Sequence, residues 1–236
     1  PLPSLPPQHP SPLPTIVQSD PLLISSRPKR LEMYKKEDGN LFKEFPQLEK
    51  NTNIMLADSA SSMGKTLEEI TSENDALWEN LTKIKDHIRP GDLIDCKAKV
   101  AAQEDPDALS LLCLIAYLNG SRKNGSLTRV NRVYYKLNVS SPSDAITHLR
   151  EMWMVNPLVL SSPFSSSLFL SFDSCLIPVE GGLRTAILSI VSSTHLFNLS
   201  IHSSVGDIIR FFYHAAGLSL PRVPVAVVKA LKLIQA

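Results

Sequence analysis

Residues 56–88 read LADSASSMGKTLEEITSENDALWENLTKIKDHI, and the spacing of their apolar side chains is the strongest structural signal in the chain. Steps of four and then three residues fall on apolar side chains at nine of ten positions, while the residues in between are mostly polar. This pattern predicts an amphipathic helix over 56–88, and its average repeat of about 3.5 residues is typical of a coiled coil. The ten positions are Leu56, Ala60, Met63, Leu67, Ile70, Asn74, Leu77, Leu81, Ile84 and Ile88.

Two interpretations of this helix are open. In the first, it forms a coiled coil with a second copy, and Asn74 occupies a core position where a buried amide fixes the register. In the second, the helix packs on the core of its own domain, and Asn74 lies at the wet edge. We adopt the first as the working hypothesis. The oligomerisation residues that it predicts, together the apolar stripe, are Met63, Leu67, Ile70, Asn74, Leu77, Leu81, Ile84 and Ile88.

Local signals bear on where this helix begins and ends. Gly64 weakens its N-terminal part. Thr66 and Glu69 have the spacing of a capping box, which would start a helix only at that point. Pro90 and Gly91 end the helix in either interpretation.

The N-terminal residues 1–28 contain nine prolines and almost no charge. Proline removes a backbone donor and disfavours helix interiors and central strands, so we expect a disordered or polyproline II arm. Such an arm is either a solvated tether or a peptide that other proteins take into aromatic-lined grooves. The basic run Arg27-Pro28-Lys29-Arg30 at its end could be a nuclear signal, a phosphate contact or a processing site, but a solvated helix entry is the simpler interpretation.

The remaining chain predicts a helical region over 29–90 and an α+β globular domain over 91–236. The domain should contain an antiparallel sheet of about four strands covered by helices, with Glu180-Gly181-Gly182 as a hairpin turn. The segment 91–100 is expected to be a connector or a short strand. The predicted strands are 133–139, 168–179, 183–191 and 196–202, and the predicted helices are 108–118, 141–152, 205–216 and, as a helix or edge strand, 223–234.

Composition excludes several broad classes. The 236 residues allow one or two domains, and a net charge of +1 gives no bulk attraction to nucleic acid or membranes. Cys96, Cys113 and Cys175 are odd in number and far apart, so we expect inert, buried thiols and neither a disulfide framework nor a zinc site. With no signal peptide and no apolar run of about 18 residues, an intracellular, cytoplasmic or nuclear, protein is expected.

Catalytic motifs are missing from the sequence. Met63-Gly64-Lys65-Thr66 resembles the end of a phosphate-binding loop, but Ser59 stands where that motif needs its first glycine. The six histidines lack metal-binding spacing, and no serine lies in a GxSxG pattern. We therefore expect a protein that is not an enzyme and needs no cofactor, with a dispersed active site as an alternative.

A basic segment is the candidate for nucleic-acid binding. Its cations bracket the aromatic pair Tyr134-Tyr135, a combination that suits phosphate contact and base stacking. A solvated loop and strand edge would carry the same residues. The candidate residues are Arg122, Lys123, Arg129, Arg132 and Lys136.

Together these features predict a non-enzymatic, self-associating structural, assembly or adaptor protein. Its partners would be a second copy and other proteins, reached through the proline-rich arm or the α+β domain. The layout is similar to that of some viral matrix proteins, polymerase cofactors and kinetochore-type adaptors, although no family motif matches residue by residue. The alternatives are an RNA- or nucleocapsid-binding protein and an enzyme; a membrane-surface role for Lys229 and Lys232 is the weakest.

Overall fold

The structure is a computed structural model, and it is mostly helical with a small sheet. In the part of the chain that it describes, no helix has both the length and the apolar character needed to cross a membrane. The described residues are 21–35, 41–100, 106–119, 134–136, 141, 144, 147, 158–162, 165–172, 175–199, 201, 206–219 and 222–235.

The helices surround a shared apolar core, which combines residues from Met33 to Ile234. The predicted helical region and the region after residue 91 therefore contribute to the same core. The helices are α1 (Pro21–Lys35), α2 (Leu41–Glu44), α3 (Asn53–Ser62), α4 (Leu67–Leu81), α5 (Pro90–Val100), α6 (Pro106–Asn119), α7 (Leu183–Leu196), α8 (Gly206–Ala215) and α9 (Val225–Gln235), with 3-10 turns at Pro46–Glu49 and Thr82–His87.

The predicted helix over 56–88 is not one helix in the structure. It consists of α3, α4 and the 3-10 turn Thr82–His87. The chain breaks at Gly64, whose φ of 71° lies in the left-handed region that favours glycine. Thr66 then caps α4: its Oγ1 accepts from the Glu69 amide at 3.2 Å, and its own amide donates to Glu69 Oε2 at 2.7 Å. The capping box therefore starts a new helix directly after the break.

The apolar stripe is largely covered by the protein's own helices. Met63, Leu77 and Ile88 are half-buried, and the other five residues are buried. Asn74 is 8% exposed, and its Nδ2 donates to the Arg184 carbonyl at 3.3 Å. α4 packs against α6, α7 and α9. This is the arrangement of the second interpretation, in which the stripe belongs to the chain's own core.

The N-terminal helix α1 corrects the prediction that residues 1–28 are disordered throughout, because residues 21–28 are helical. Pro21 occupies the first helical position, where a missing amide hydrogen costs nothing. Pro28 lies inside the helix, where proline is ordinarily unfavourable. Polar contacts from α1 to α3, described with the candidate site, hold the helix in place. Residues 1–20 lie outside the described ranges.

The sheet also differs from the prediction. Its order is β1-β2-β3-β4, and β1 pairs with β2 in parallel while the other neighbours are antiparallel. The predicted antiparallel sheet of four strands is therefore not confirmed. The strands are β1 (Tyr134–Lys136), β2 (Leu158–Ser162), β3 (Ser165–Phe172) and β4 (Cys175–Val179).

The predicted strand over 183–191 is wrong, because residues 183–196 form α7. The predicted strand over 196–202 is not confirmed: residues 197 and 198 form a turn, residues 199 and 201 are irregular, and residues 200 and 202 lie outside the described ranges. Eleven of the 14 residues of α7 are buried, so this helix has no polar face whose periodicity would distinguish a helix from a strand. The predicted hairpin turn is the entry to this helix. A Cβ on Gly181, at φ 110°, would lie 2.6 Å from Thr185 Oγ1, so glycine is required there.

Candidate functional site

The most enzyme-like arrangement in the described residues is a hydrogen-bonded chain of Ser62, His195 and Tyr213. These residues lie on α3, α7 and α8. Ser62 Oγ lies 3.0 Å from His195 Nε2, and His195 Nδ1 lies 3.3 Å from the Tyr213 hydroxyl. Burial lowers the pKa of His195, which favours a neutral imidazole at pH 7. A neutral histidine beside a serine is the first requirement of nucleophilic catalysis.

The surrounding hydrogen bonds indicate that the hydrogen-bonded Ser62, His195 and Tyr213 have a structural role. Ser62 Oγ donates to the Ser59 carbonyl at 2.7 Å, so its proton is not directed at the imidazole. The consistent tautomer has His195 Nε2 donating to Ser62 and Tyr213 donating to Nδ1.

The backbone near Ser62 supports the same assignment. The amides of Met63, Gly64 and Lys65 all donate to carbonyls of α3, so none of them is available to stabilise an oxyanion. The chain of hydrogen bonds therefore cross-links three helices.

A narrow cleft lies between α3, α4, α7 and α8. The cavity volume of this cleft is about 30 Å³, whereas a single water molecule needs about 10–15 Å³. Ser59 Oγ is buried there without a hydrogen-bond partner among the described residues, and one ordered water would satisfy it. The lining is Ser59, Met63, Ile70, Glu73, Asn74, Leu77, Leu188, Val191, Ser192, Phe212, Ala215, Ala216 and Leu218.

The strongest polar cluster is built on the carboxylate of Asp58, which is 0% exposed on α3. Arg30 donates two hydrogen bonds to this carboxylate, from Nε to Oδ2 at 2.6 Å and from Nη2 to Oδ1 at 2.7 Å. Arg27 Nε donates to Oδ1 at 3.1 Å, and the Tyr34 hydroxyl donates to Oδ2 at 3.1 Å. All three donors come from α1. The Asp58 cluster therefore anchors α1 to α3.

Neighbouring aromatic rings hold the donors of the Asp58 cluster in position. Burial, followed by the charge of Asp58, raises the pKa of Tyr34 well above its ordinary value, so its hydroxyl stays a donor. Its ring meets Phe197 edge-on with centroids 4.8 Å apart. The Arg30 guanidinium lies 5.8 Å from the Phe45 ring centroid, at cation–π distance. The role of this buried carboxylate is structural, because the hydrogen bonds from the two arginines and the tyrosine are all directed at it.

A second ionic cluster joins the helices around the apolar stripe. Arg184 on α7 bonds Asp107 of α6 at 2.9 Å and Glu79 of α4 at 2.8 Å, with Asp75 at 3.8 Å. Its backbone carbonyl also holds Asn74, the polar position of the stripe. Arg184 is partly exposed, so the contribution of each pair to stability is small, but together they fix the orientation of α4.

The residues predicted to bind nucleic acid are not brought together by the described part of the structure. Arg122, Lys123, Arg129 and Arg132 lie outside the described ranges, and Lys136 is described only as a backbone position in β1. Nucleic-acid binding by this segment therefore stays a prediction.

Sequence reasoning missed the Asp58 cluster, although one signal was available. Arg27 and Arg30 are three residues apart and would share one face of a helix. Recognising their carboxylate partner required a contact across 28 residues, which no local pattern contains.

No protein-family model, curated protein sequence or solved structure that was compared with this chain matches it.

Proposed function

We propose that this chain is a non-enzymatic adaptor protein that binds other proteins through residues 1–24, here called the docking segment. The segment contains the proline-rich residues 1–20 and the start of α1. The observation that carries the proposal is the Asp58 cluster, since it fixes the helix that follows the proline-rich sequence to the core.

The first turn of α1 exposes the two apolar side chains that the structure describes there. Leu22 is 77% exposed and Ile24 is 46% exposed. The adjoining residues 1–20 contain seven prolines and little charge. Proline-rich sequences bind grooves lined with aromatic side chains, because little conformational entropy is lost on binding. Exposed leucine and isoleucine beside such a sequence supply apolar anchors for the same groove.

The way α1 is held explains how it can expose these residues and remain docked. An amphipathic helix would bury its apolar side chains to stay in place. α1 does so only in its C-terminal half, where Met33 and Tyr34 are buried, and it adds the bidentate Arg30–Asp58 pair, in which the side chains are 1% and 0% exposed. Leu22 and Ile24 are therefore not needed for docking and remain accessible to a partner.

The sequence predicted self-association through the apolar stripe, and this proposal does not include it. Five of the eight stripe residues are buried by the same chain. An oligomer that used the stripe would have to open the core, so the adaptor proposal does not depend on it.

The proposal is tested by comparing two pairs of substitutions at exposed apolar positions. Leu22→Ser with Ile24→Ser removes the anchors of the docking segment. Ile94→Ser with Val225→Ser is the matched control, because these side chains are 66% and 71% exposed elsewhere on the surface. Proteins captured by the wild-type chain from an extract of its source are purified, and each affinity is measured by calorimetry.

We expect the first pair to weaken a captured partner by at least about tenfold, corresponding to about 1.4 kcal/mol, and the control pair to leave its affinity unchanged. Equal binding by all variants, or the absence of a partner that binds directly when purified, would contradict the proposal.

A further inference from the structure

Two of the three cysteines meet in the interior. Cys96 on α5 is 0% exposed and Cys113 on α6 is 1% exposed, and both are present as thiols. The two side chains are joined by a hydrogen bond, and α5 packs along α6. Cys175 on β4 lies apart from this pair, partly exposed, and its thiol donates to Glu49 Oε1 at 3.6 Å.

The surroundings of the pair lower the pKa of one of the two thiols. The hydrogen bond from Cys96 lowers the pKa of Cys113; burial opposes this, and the charges of Lys85 and Lys97 lower the pKa further. The thiolate is the attacking species in thiol–disulfide exchange, so a lower pKa increases the reactive fraction.

α5 is only lightly attached to the molecule, which gives a reagent access to the pair. Among the side chains described over residues 90–98, Cys96 is the one that is fully buried, while Leu93 is half-buried and Ile94 is 66% exposed. Helices that bury so little apolar surface open locally at a small fraction of the global free energy of unfolding. Local opening of α5 therefore uncovers both sulfur atoms together.

We propose that Cys96 and Cys113 form a reversible disulfide by exchange with a small-molecule disulfide, and that this bond fixes α5 on α6. The Cys113 thiolate attacks one sulfur of the reagent, so a mixed disulfide forms and one reagent thiolate leaves. The Cys96 thiolate then attacks the Cys113 sulfur, the protein disulfide forms, and the second reagent thiolate leaves. The protein loses two electrons and two protons, and the reagent disulfide is reduced to two thiols.

The experiment treats the reduced, folded full-length chain with bis(2-hydroxyethyl) disulfide and maps the cysteines by mass spectrometry after alkylation. We expect a Cys96–Cys113 cross-link, a protein mass about 2 Da lower, and the same product in Cys175→Ser. The identical treatment in urea should instead give a mixture of all three possible pairings. Native protein in which Cys96 and Cys113 remain alkylated, or in which pairings with Cys175 are as frequent, would overturn the proposal.

Amide hydrogen exchange tests whether the bond fixes α5. Oxidation should slow exchange over residues 90–98 by about tenfold or more, and dithiothreitol should restore the original rate. Cys113→Ala should show no change on oxidation, whereas Cys175→Ser should respond as the wild type does. Unchanged exchange in cross-linked wild-type protein would refute the fixing of α5 while leaving the disulfide itself established.

Discussion

Replacing Asp58 by alanine should destabilise the protein more than any other single loss of an ion pair described above. The substitution removes a carboxylate that is 0% exposed and leaves Arg30, whose side chain is 1% exposed, without its partner. A buried charge that loses its counter-ion costs about 3–5 kcal/mol. Tyr34 loses its acceptor as well, but it shares the same cluster, so its loss does not add in full.

The assay is thermal and urea unfolding followed by circular dichroism. For a chain of this length, a loss of about 3–5 kcal/mol corresponds to a fall in Tm of roughly 6–20 °C. A double-mutant cycle with Arg30→Met isolates the pair, and its coupling free energy should be at least about 2 kcal/mol. Without this anchor, α1 should also become sensitive to trypsin at Lys29.

The matched control is Asp92→Ala, which breaks an ion pair with Arg89 on the surface. Arg89 is exposed, so the variant should unfold at the same temperature as the wild type. The reasoning would be refuted if Asp58→Ala cost less than about 1 kcal/mol, the range of an exposed pair, or if its trypsin sensitivity matched that of Asp92→Ala.

Three further predictions concern the turn before α4 and the histidine beside it. Thr66→Ala should lower the free energy of unfolding by about 1 kcal/mol in urea titrations, whereas Glu69→Gln, which keeps a side-chain acceptor, should change it little. Gly64→Ala should cost about 1–2 kcal/mol in the same titrations, since the site has room for a Cβ but a φ of 71°. Because burial lowers the folded-state pKa of His195, wild-type stability should fall as pH decreases from 6.5 to that pKa, and unfolding of His195→Gln should lack this dependence. A wild type and His195→Gln with equal pH profiles, or an unaffected Thr66→Ala or Gly64→Ala, would contradict the respective argument.

Features determined by neighbouring residues could be predicted from the sequence. The capping box of Thr66 and Glu69 forms as its spacing indicated, because both hydrogen bonds lie within one turn. The predicted helices over 108–118 and 205–216 correspond to α6 and α8, and 223–234 adopts the helical form of its two alternatives in α9.

Features determined by burial or by distant contacts could not be predicted. α7 is rich in β-branched and apolar residues because it crosses the centre of the core, and that composition is equally typical of a strand. The segment that forms α5 was expected to be a connector or a short strand. It is helical in the structure, although it is polar and buries little apolar surface. The apolar stripe would have the same heptad repeat whether it packs on a second copy or on its own chain. Spacing alone therefore could not distinguish the two interpretations. The anchor at Asp58 depends on α1, whose prolines argued against a helix.

The central structural claim is that the apolar stripe belongs to the protein's own core. The most direct test is light scattering with circular dichroism on the wild type and on Ile70→Ser/Leu81→Ser/Ile84→Ser, with Ile94→Ser/Val225→Ser as the exposed control. We predict a monomeric wild type and control of 26.0 kDa, and a triple variant that loses its helical signal because three buried side chains become polar. A stable wild-type oligomer together with a folded, monomeric triple variant would contradict this account and show that the stripe is an assembly surface.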